Sequence, residues 1–333
     1  MKYRAIGQDP ATRREVSVIA LGAMHFGTAT EEEQAFRILD RFVEAGGTFI
    51  DTSNNYSFWV GATQGGESEA VLGRWRKSRG VGSEVVIATK LGGRPNRPGM
   101  AFADTAKPEN IEGLSPKVIR ESAERSRDLL GVEKIDLLYA HVEDVLVPIE
   151  ETVEGFADVV KDGTVGLLGV SNHWSWKLER ARSIAAAKGL PGFEVAQYHY
   201  SYLRARTDMP GRRSKDGNQG VVAGDILSYL RETPEVALVA YSPLLAGGYT
   251  REDKPLGADF EHAGTPARLA ALREVAAESG ATVNQVVLAW LIGGEVPVLP
   301  LVGASSVEQL DESLAAADLE LTADQRAKLD AAY

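Results

Sequence analysis

The sequence contains no cysteine. Disulfides, thiolate metal ligands and a cysteine nucleophile are therefore excluded, and the lack of thiols fits a reducing compartment. Basic charge is also in short supply: 36 Lys and Arg stand against 47 Asp and Glu, a formal net charge of −11. Nucleic acid and anionic membranes both need a basic footprint, so neither is expected as a partner. The most apolar stretch, residues 283–302, is broken by Gly293-Gly294-Glu295 and by Pro297, which excludes a spanning helix there. The opening residues, Met1-Lys2-Tyr3-Arg4-Ala5-Ile6-Gly7, have no apolar core of a secretory leader, and a cytoplasmic location is expected. No Gly-x-Gly-x-x-Gly follows the first strand-like segment, which counts against an open dinucleotide-binding sheet.

What is present is a globular composition, 44% hydrophobic and 25% charged over 333 residues, enough for a large core. Residues 3–21 read as two short strands around Gly7-Gln8-Asp9-Pro10, with Val16, Val18 and Ala20 on an apolar face. Thr30 and Glu33 have capping-box spacing, and Phe36, Leu39 and Val43 follow at helical intervals up to Gly46. Gly46-Gly47 then turns the chain into Thr48-Phe49-Ile50-Asp51-Thr52-Ser53-Asn54-Asn55-Tyr56. This stretch is an apolar strand that ends in a carboxylate, with a phenol shortly after.

Strand and helix alternate from there. Strands are predicted over 84–90, 135–140, 165–170, 194–196, 236–240 and 296–301. Helices are predicted over 67–75, 116–130, 149–163, 177–188, 225–230, 267–278, 283–291 and 307–316, with a short one from 323. About eight such units with near-continuously apolar strands indicate an α/β protein whose sheet is covered on both faces. The expected architecture is a single (β/α)8 TIM barrel with an N-terminal β-hairpin, one domain over 1–333, and long loops at the C-terminal face. Those loops are residues 92–113, 203–220 and 246–264, long enough to be lids or binding loops on a mobile rim.

Each predicted strand from the second onward ends in polar or small residues: Asp51, Lys90, His141, Ser171-Asn172, Gln197, Tyr241 and Gly303-Ala304-Ser305. Taken singly, an Asp caps a strand, a Lys is solvated and a His is a hydrogen-bonded rim residue. In a barrel they share one rim, where such folds carry their chemistry. A phenol is a poor acid at neutral pH because its pKa is about 10. An ammonium beside it lowers that value, and a carboxylate keeps the ammonium charged and aimed. Asp51, Lys90 and Tyr56 are such a set, and His141 can hydrogen-bond an oxygen beside the phenol. The product is a proton donor for a developing alkoxide, as carbonyl reduction requires.

At these residues the chain resembles the aldo-keto reductase family, over nearly all its length. The family's Asp, Tyr, Lys and His tetrad matches Asp51, Tyr56, Lys90 and His141 in order and placement. The segment Gly66-Glu67-Ser68-Glu69-Ala70-Val71-Leu72-Gly73 matches the helix after the tyrosine. Gly169-Val170-Ser171-Asn172, Gln197 and Tyr241-Ser242-Pro243-Leu244 match nicotinamide-binding positions. The resemblance implies hydride transfer from a nicotinamide cofactor lying across the barrel mouth, with Tyr56 giving the proton, Lys90 depressing its pKa, Asp51 holding Lys90, and His141 orienting the carbonyl. It also implies that Ser171, Asn172 and Gln197 hold the carboxamide and that Tyr241 stacks on the ring. Gly22, Ala23, Met24, Asp51, Gly247, Gly303, Ala304, Ser305, Ser306, Gln309, Glu312 and Ser313 complete the implied cofactor contacts. The substrate would be a small carbonyl compound, sugar or polyketide-type included, or the alcohol in reverse.

Two departures from the family pattern stand out. Residues 57–64 are longer than usual and carry Phe58-Trp59, a candidate pocket wall. Many NADPH-using relatives place Lys or Arg where this chain has Ser306 or Gln309, and Asn where it has Ser313. This chain keeps the helix N-terminus but not the cation, and Glu308 and Glu312 lie nearby. Family habit favours NADP(H) slightly, while local charge favours NAD(H) or dual use. Met24, His25, Phe58, Trp59, Trp174, Trp176, Tyr200 and Tyr202 are candidates for an aromatic cup, and Arg94, Arg97, Arg204, Arg206, Arg212 and Arg213 for recognition of an anion or polyol. Two other readings use the same residues: a nicotinamide-binding regulatory subunit with weak catalysis, and a lyase forming a Schiff base at Lys90. The charge of a paired Lys90 counts against the second.

Overall fold

Parallel strands covered on both faces need apolar residues on both, and the barrel strands supply them: all six residues of Val86–Leu91 and all seven of Val165–Ser171 are buried. The computed structural model of the protein describes residues 1–333 except 61–62, 210–213, 215–216 and 218. Strands β1 (Tyr3–Ile6) and β2 (Arg14–Ser17) form an antiparallel hairpin. Eight parallel strands then close a barrel: β3 (Ala20–Gly22), β4 (Phe49–Asp51), β5 (Val86–Leu91), β6 (Ile135–Ala140), β7 (Val165–Ser171), β8 (Phe193–His199), β9 (Ala237–Tyr241) and β10 (Val298–Gly303). Each pairs with its neighbour in sequence, and β10 returns to β3 with Leu301 opposite Ala20.

Helices follow the strands: α1 (Glu32–Glu44), α2 (Glu67–Arg79), α3 (Pro116–Leu130), α4 (Ile149–Lys161), α5 (Ser175–Lys188), α6 (Gly224–Glu232), α7 (Gly264–Ser279), α8 (Val283–Ile292), α9 (Val307–Ala315) and α10 (Ala323–Asp330). The α/β class, the (β/α)8 TIM barrel and the N-terminal hairpin are as expected from the sequence. Alternate residues of β6 enter different apolar clusters, Leu138 and Ala140 one and Leu137 and Tyr139 the other. No single helix among the described residues is long and apolar enough to cross a membrane.

The start of α1 departs from expectation. Its N-cap is Glu31, with no side-chain cap bond, so Thr30 and Glu33 form no capping box. Thr30 belongs instead to the preceding turn, where its backbone N–H donates to His25 O and its carbonyl accepts from Gly27. The inward face is Ala35, Ile38, Leu39 and Phe42, while Phe36 lies at the edge under the Arg79 guanidinium. Capping boxes do form at Thr282 with Gln285 and at Thr322 with Gln325. Strand β8 also runs further than predicted, to His199, which places Gln197 inside the barrel wall opposite Ser171 and Val239.

Helices α2 and α3 meet at Gly73, where a Cβ would lie 2.1 Å from the Leu129 carbonyl oxygen. That contact is with backbone, so α2 would have to lift off α3 to admit a methyl group. Gly73→Ala should cost roughly 3 kcal/mol, measured as a lowered urea midpoint at unchanged slope. An unaltered midpoint would show that the two helices are free to part.

Candidate active site

Parallel register carries three side chains from different strands to one point inside the C-terminal rim. Asp51 ends β4, Lys90 is the penultimate residue of β5, and Gln197 lies near the end of β8. All three are buried. The Lys90 Nζ donates to Asp51 Oδ1, to Thr52 O at 2.8 Å and to the Tyr56 hydroxyl at 2.9 Å. Gln197 Nε2 donates to the other Asp51 oxygen at 2.7 Å. Both carboxylate oxygens thus accept and all three ammonium hydrogens have partners, which is the bonding of an ion pair. Tyr139 lies opposite Lys90 in register, with the ammonium 5.7 Å from its ring centroid. Room for that ring comes from Gly169, whose Cβ would sit 2.4 Å from it.

Burial is the largest influence on each member of the pair, raising Asp51 above the usual carboxylate range and lowering Lys90 below the usual amine range. Tyr56 differs from the sequence expectation. Its pKa stands well above the ordinary phenol value, pushed first by burial and then by the Asp51 charge. The physical reason is that desolvation penalises the phenolate and the neighbouring Asp51 carboxylate repels it, both of which favour the protonated phenol.

His141 follows β6 and stands edge-on to Tyr56, with ring centroids 6.0 Å apart. Its Nδ1 lies 3.0 Å from Ser53 Oγ, and its carbonyl accepts from Asn172 Nδ2 at 2.9 Å. Asn172 Nδ2 also donates to Ser171 Oγ, and Asn172 Oδ1 accepts from the Tyr241 hydroxyl at 2.8 Å. Asn172 is left-handed at φ 60°, as are Ser57, Ser242, Leu245 and Ala246. All of these non-glycine exceptions lie in loops leaving the C-terminal ends of β4, β7 and β9, where strain marks functional backbone. After these bonds Ser171 keeps its hydroxyl hydrogen, Asn172 Oδ1 a lone pair, and Gln197 its carbonyl. Donors and acceptors of both kinds remain there, which matches what a primary carboxamide needs.

The remaining residues expected at the site divide into two groups. Gly22, Met24, Ser242, Leu244, Gly247, Gly303, Ala304, Ser305 and Ser306 lie partly or fully exposed at strand ends and the loops after them, and Ala23 and Pro243 are buried there. Ser306 caps α9, and Gln309 Oε1 accepts from Ser305 N at 2.8 Å. Glu312 turns instead to α8, accepting from the Thr282 hydroxyl at 2.7 Å, and the buried Ser313 donates to Gln309 O. Phe58 is fully buried, in a cluster with Trp59 and the exposed Phe102 from the loop after β5. Tyr200 and Tyr202 pack on Trp290 of α8. His25 and Trp176 are exposed, and Trp174 precedes α5 with its N–H on Glu143. Arg94 donates to Gln64 O and Arg206 pairs with Asp208, whereas Arg212 and Arg213 lie outside the described residues. The loops over 203–220 and 246–264 are tied together through Tyr249, which bonds Ser201 and Leu203, and through the Arg206 N–H on Asp259 O.

Sequence reasoning passed over Ser53, Asn55 and Glu69, although Glu69 lies in the quoted Gly66-Glu67-Ser68-Glu69 segment. Glu69 of α2 is wholly buried, accepts from Thr89 Oγ1 at 2.5 Å, and is raised to about 6, chiefly by burial. A carboxyl whose folded pKa exceeds its unfolded value stabilises most below the unfolded value, and that stabilisation is lost as pH rises through about 6. Glu69→Gln should therefore gain about 2 kcal/mol relative to the parent between pH 4 and pH 8, read from paired urea titrations. A pH-independent difference would contradict the assignment.

Comparison with known proteins agrees with this geometry. Residues 18–333 match the Aldo/keto reductase family. The chain is 31% identical to the uncharacterized oxidoreductase YrpG of Bacillus subtilis, across 96% of this chain and 92% of that protein. It is 32% identical to norsolorinic acid reductase B of Aspergillus parasiticus, across 100% of this chain and 84% of that one. It is 27% identical to aryl-alcohol dehydrogenase GME11368 of Pestalotiopsis microspora, across 97% and 80%. With this barrel, this rim and these relatives, the chain belongs to the aldo/keto reductase family of oxidoreductases.

Proposed function

We propose that the protein is a nicotinamide-dependent reductase of aldehydes or ketones, able to run in reverse on alcohols, with Tyr56 as proton donor. The observation that carries this reading is the contact of the Tyr56 hydroxyl with the buried, ion-paired Lys90 at 2.9 Å. When bound, the reduced nicotinamide supplies the hydride that the carbonyl carbon takes up. Tyr56 donates its proton to the carbonyl oxygen, and the phenolate left behind faces the Lys90 ammonium, which stabilises it. Asp51 and Thr52 O hold Lys90 in place, and Gln197 holds Asp51. The high resting pKa of Tyr56 keeps the phenol protonated until an alkoxide develops beside it.

Ser171, Asn172 and Gln197 would hold the carboxamide, and Tyr241, whose hydroxyl is fixed by Asn172, would present its ring. The helix N-terminus at Ser306 would receive the cofactor's phosphate end. NADP(H) is slightly favoured on family grounds, with NAD(H) or dual use supported by the absence of Lys and Arg from residues 303–313. The substrate we infer is aromatic, supported by Trp59 and Phe102 together at the rim and by the names of the norsolorinic acid and aryl-alcohol relatives. The Asp51 carboxylate and the three hydrogen bonds on Lys90, which favour its charged form, speak against its use as a Schiff-base nucleophile.

Tyr56→Phe should lower reduction of an aryl aldehyde at least about 100-fold while cofactor binding, followed by quenching of tryptophan fluorescence, persists. A variant that keeps most of its activity would remove Tyr56 from the role. Ser306→Arg should raise NADPH affinity relative to NADH by about tenfold, the worth of one charged hydrogen bond, in the same titration. An unmoved ratio would locate phosphate recognition elsewhere.

A further inference from the structure

Loop 92–113 leaves β5 just after Lys90 and returns to α3, and one side chain closes its neck. Glu112, at the far end, has a side chain only 12% exposed and reaches back across 20 residues to accept from Gly92 N at 2.7 Å. The same oxygen, Oε1, accepts at 2.8 Å from Asn54 Nδ2, in the loop that carries Tyr56. Oε2 accepts from the buried Ser122 Oγ of α3 at 2.9 Å and lies 3.7 Å from a guanidinium nitrogen of Arg125. Backbone bonds continue the closure, from Glu112 N to Arg94 O at 2.8 Å and from Asn96 N to Asn110 O at 2.9 Å. Bringing the ends of so long a loop together costs conformational entropy, and hydrogen bonds to a carboxylate are among the strong ones that offset it.

Beyond the neck the loop carries Phe102, which stacks on Phe58 with centroids 6.0 Å apart and meets Trp59 edge-on at 5.6 Å. Both aromatics belong to the loop that contains Asn54, and Asn54 N donates to Lys90 O at 3.0 Å. Glu112 therefore joins both loops to the strand that bears Lys90. We infer that Glu112 is a positioning residue for substrate choice: by closing loop 92–113 and tying it to Asn54, it sets Phe102 against Phe58 and Trp59 and completes a wall for the ring of an aryl carbonyl compound. It acts through Phe102 and not by touching the substrate. A short aliphatic carbonyl compound, with no ring to lay against the wall, gains nothing from it. The consequence for aryl substrates rests on the functional reading above; the closure itself does not.

The test uses the full-length protein and two readouts. Amide hydrogen exchange at Gly92 and Asn96, followed by NMR, should be about tenfold faster in Glu112→Ala. It should stay near the parent rate in Glu112→Gln, whose remaining oxygen can still accept from Gly92 and Asn54. Glu112→Asp, one carbon too short to reach Gly92 and α3 together, serves if the alanine variant does not fold. Unchanged exchange in the alanine or aspartate variant would overturn the closure. In steady-state reduction with NADPH, Glu112→Ala should raise KM for benzaldehyde roughly fivefold at little-changed kcat, and leave KM and kcat for propanal as in the parent. Phe102→Ala should reproduce that split with exchange at Gly92 unaltered. Faster exchange with an unmoved ratio of the two KM values, or an equal loss for both aldehydes, would overturn the role in substrate choice. Faster exchange in a protein whose parent reduces no carbonyl compound would leave the closure standing and overturn the functional reading instead.

Discussion

The buried pair of Lys90 and Asp51 is the constraint on which the rim depends. Placing an ammonium and a carboxylate inside a barrel costs several kcal/mol for each ion, and their attraction offsets this only when every remaining hydrogen and lone pair is satisfied. The structure meets that condition with the Thr52 carbonyl, the Gln197 amide and the Tyr56 hydroxyl. Thr52 and Tyr56 come from the loop after β4 and Gln197 from β8, so the pair holds β4, β5, β8 and that loop in one relative position. Removing any partner would leave a charge or a dipole without its complement in a site closed to water.

A second set of bonds runs round the rim from that pair. His141 is joined to Ser53 on one side and to Asn172 on the other, and Asn172 is joined in turn to Tyr241. Asn172, whose residue type tolerates the left-handed region, sits within this set at φ 60°. The rim is thus cross-linked by hydrogen bonds where chemistry is proposed. It is bonded more loosely through backbone and aromatic contacts further out, where Trp59 and Phe102 meet. Specificity can change there without disturbing the ion pair.

Much of this was legible in the residues. Continuous apolar runs at strand length, punctuated by glycine and capping residues, gave eight repeats and hence the barrel; the predicted helix over 116–130 and strand over 135–140 match α3 and β6. The strand-end residues Asp51, Lys90 and His141 could be chosen because a polar residue at the end of a buried run is locally anomalous. The start of α1 was misread because Thr30, though of the right type and spacing, is held by a turn involving Gly27 and His25. Tyr200 and Tyr202 follow β8 and pack on Trp290 of α8, a contact with a distant helix that no local pattern shows.

The sequence by itself determined the secondary structure, the repeat that closes the barrel and the identity of the rim residues, because these follow from the order of neighbouring side chains. Only the tertiary structure decided which of them touch. Asp51 meets Lys90 across 39 residues and Gln197 across 146, and those meetings depend on the register at which the sheet closes. It also decided the state of Tyr56, which composition made a depressed phenol and burial made a raised one.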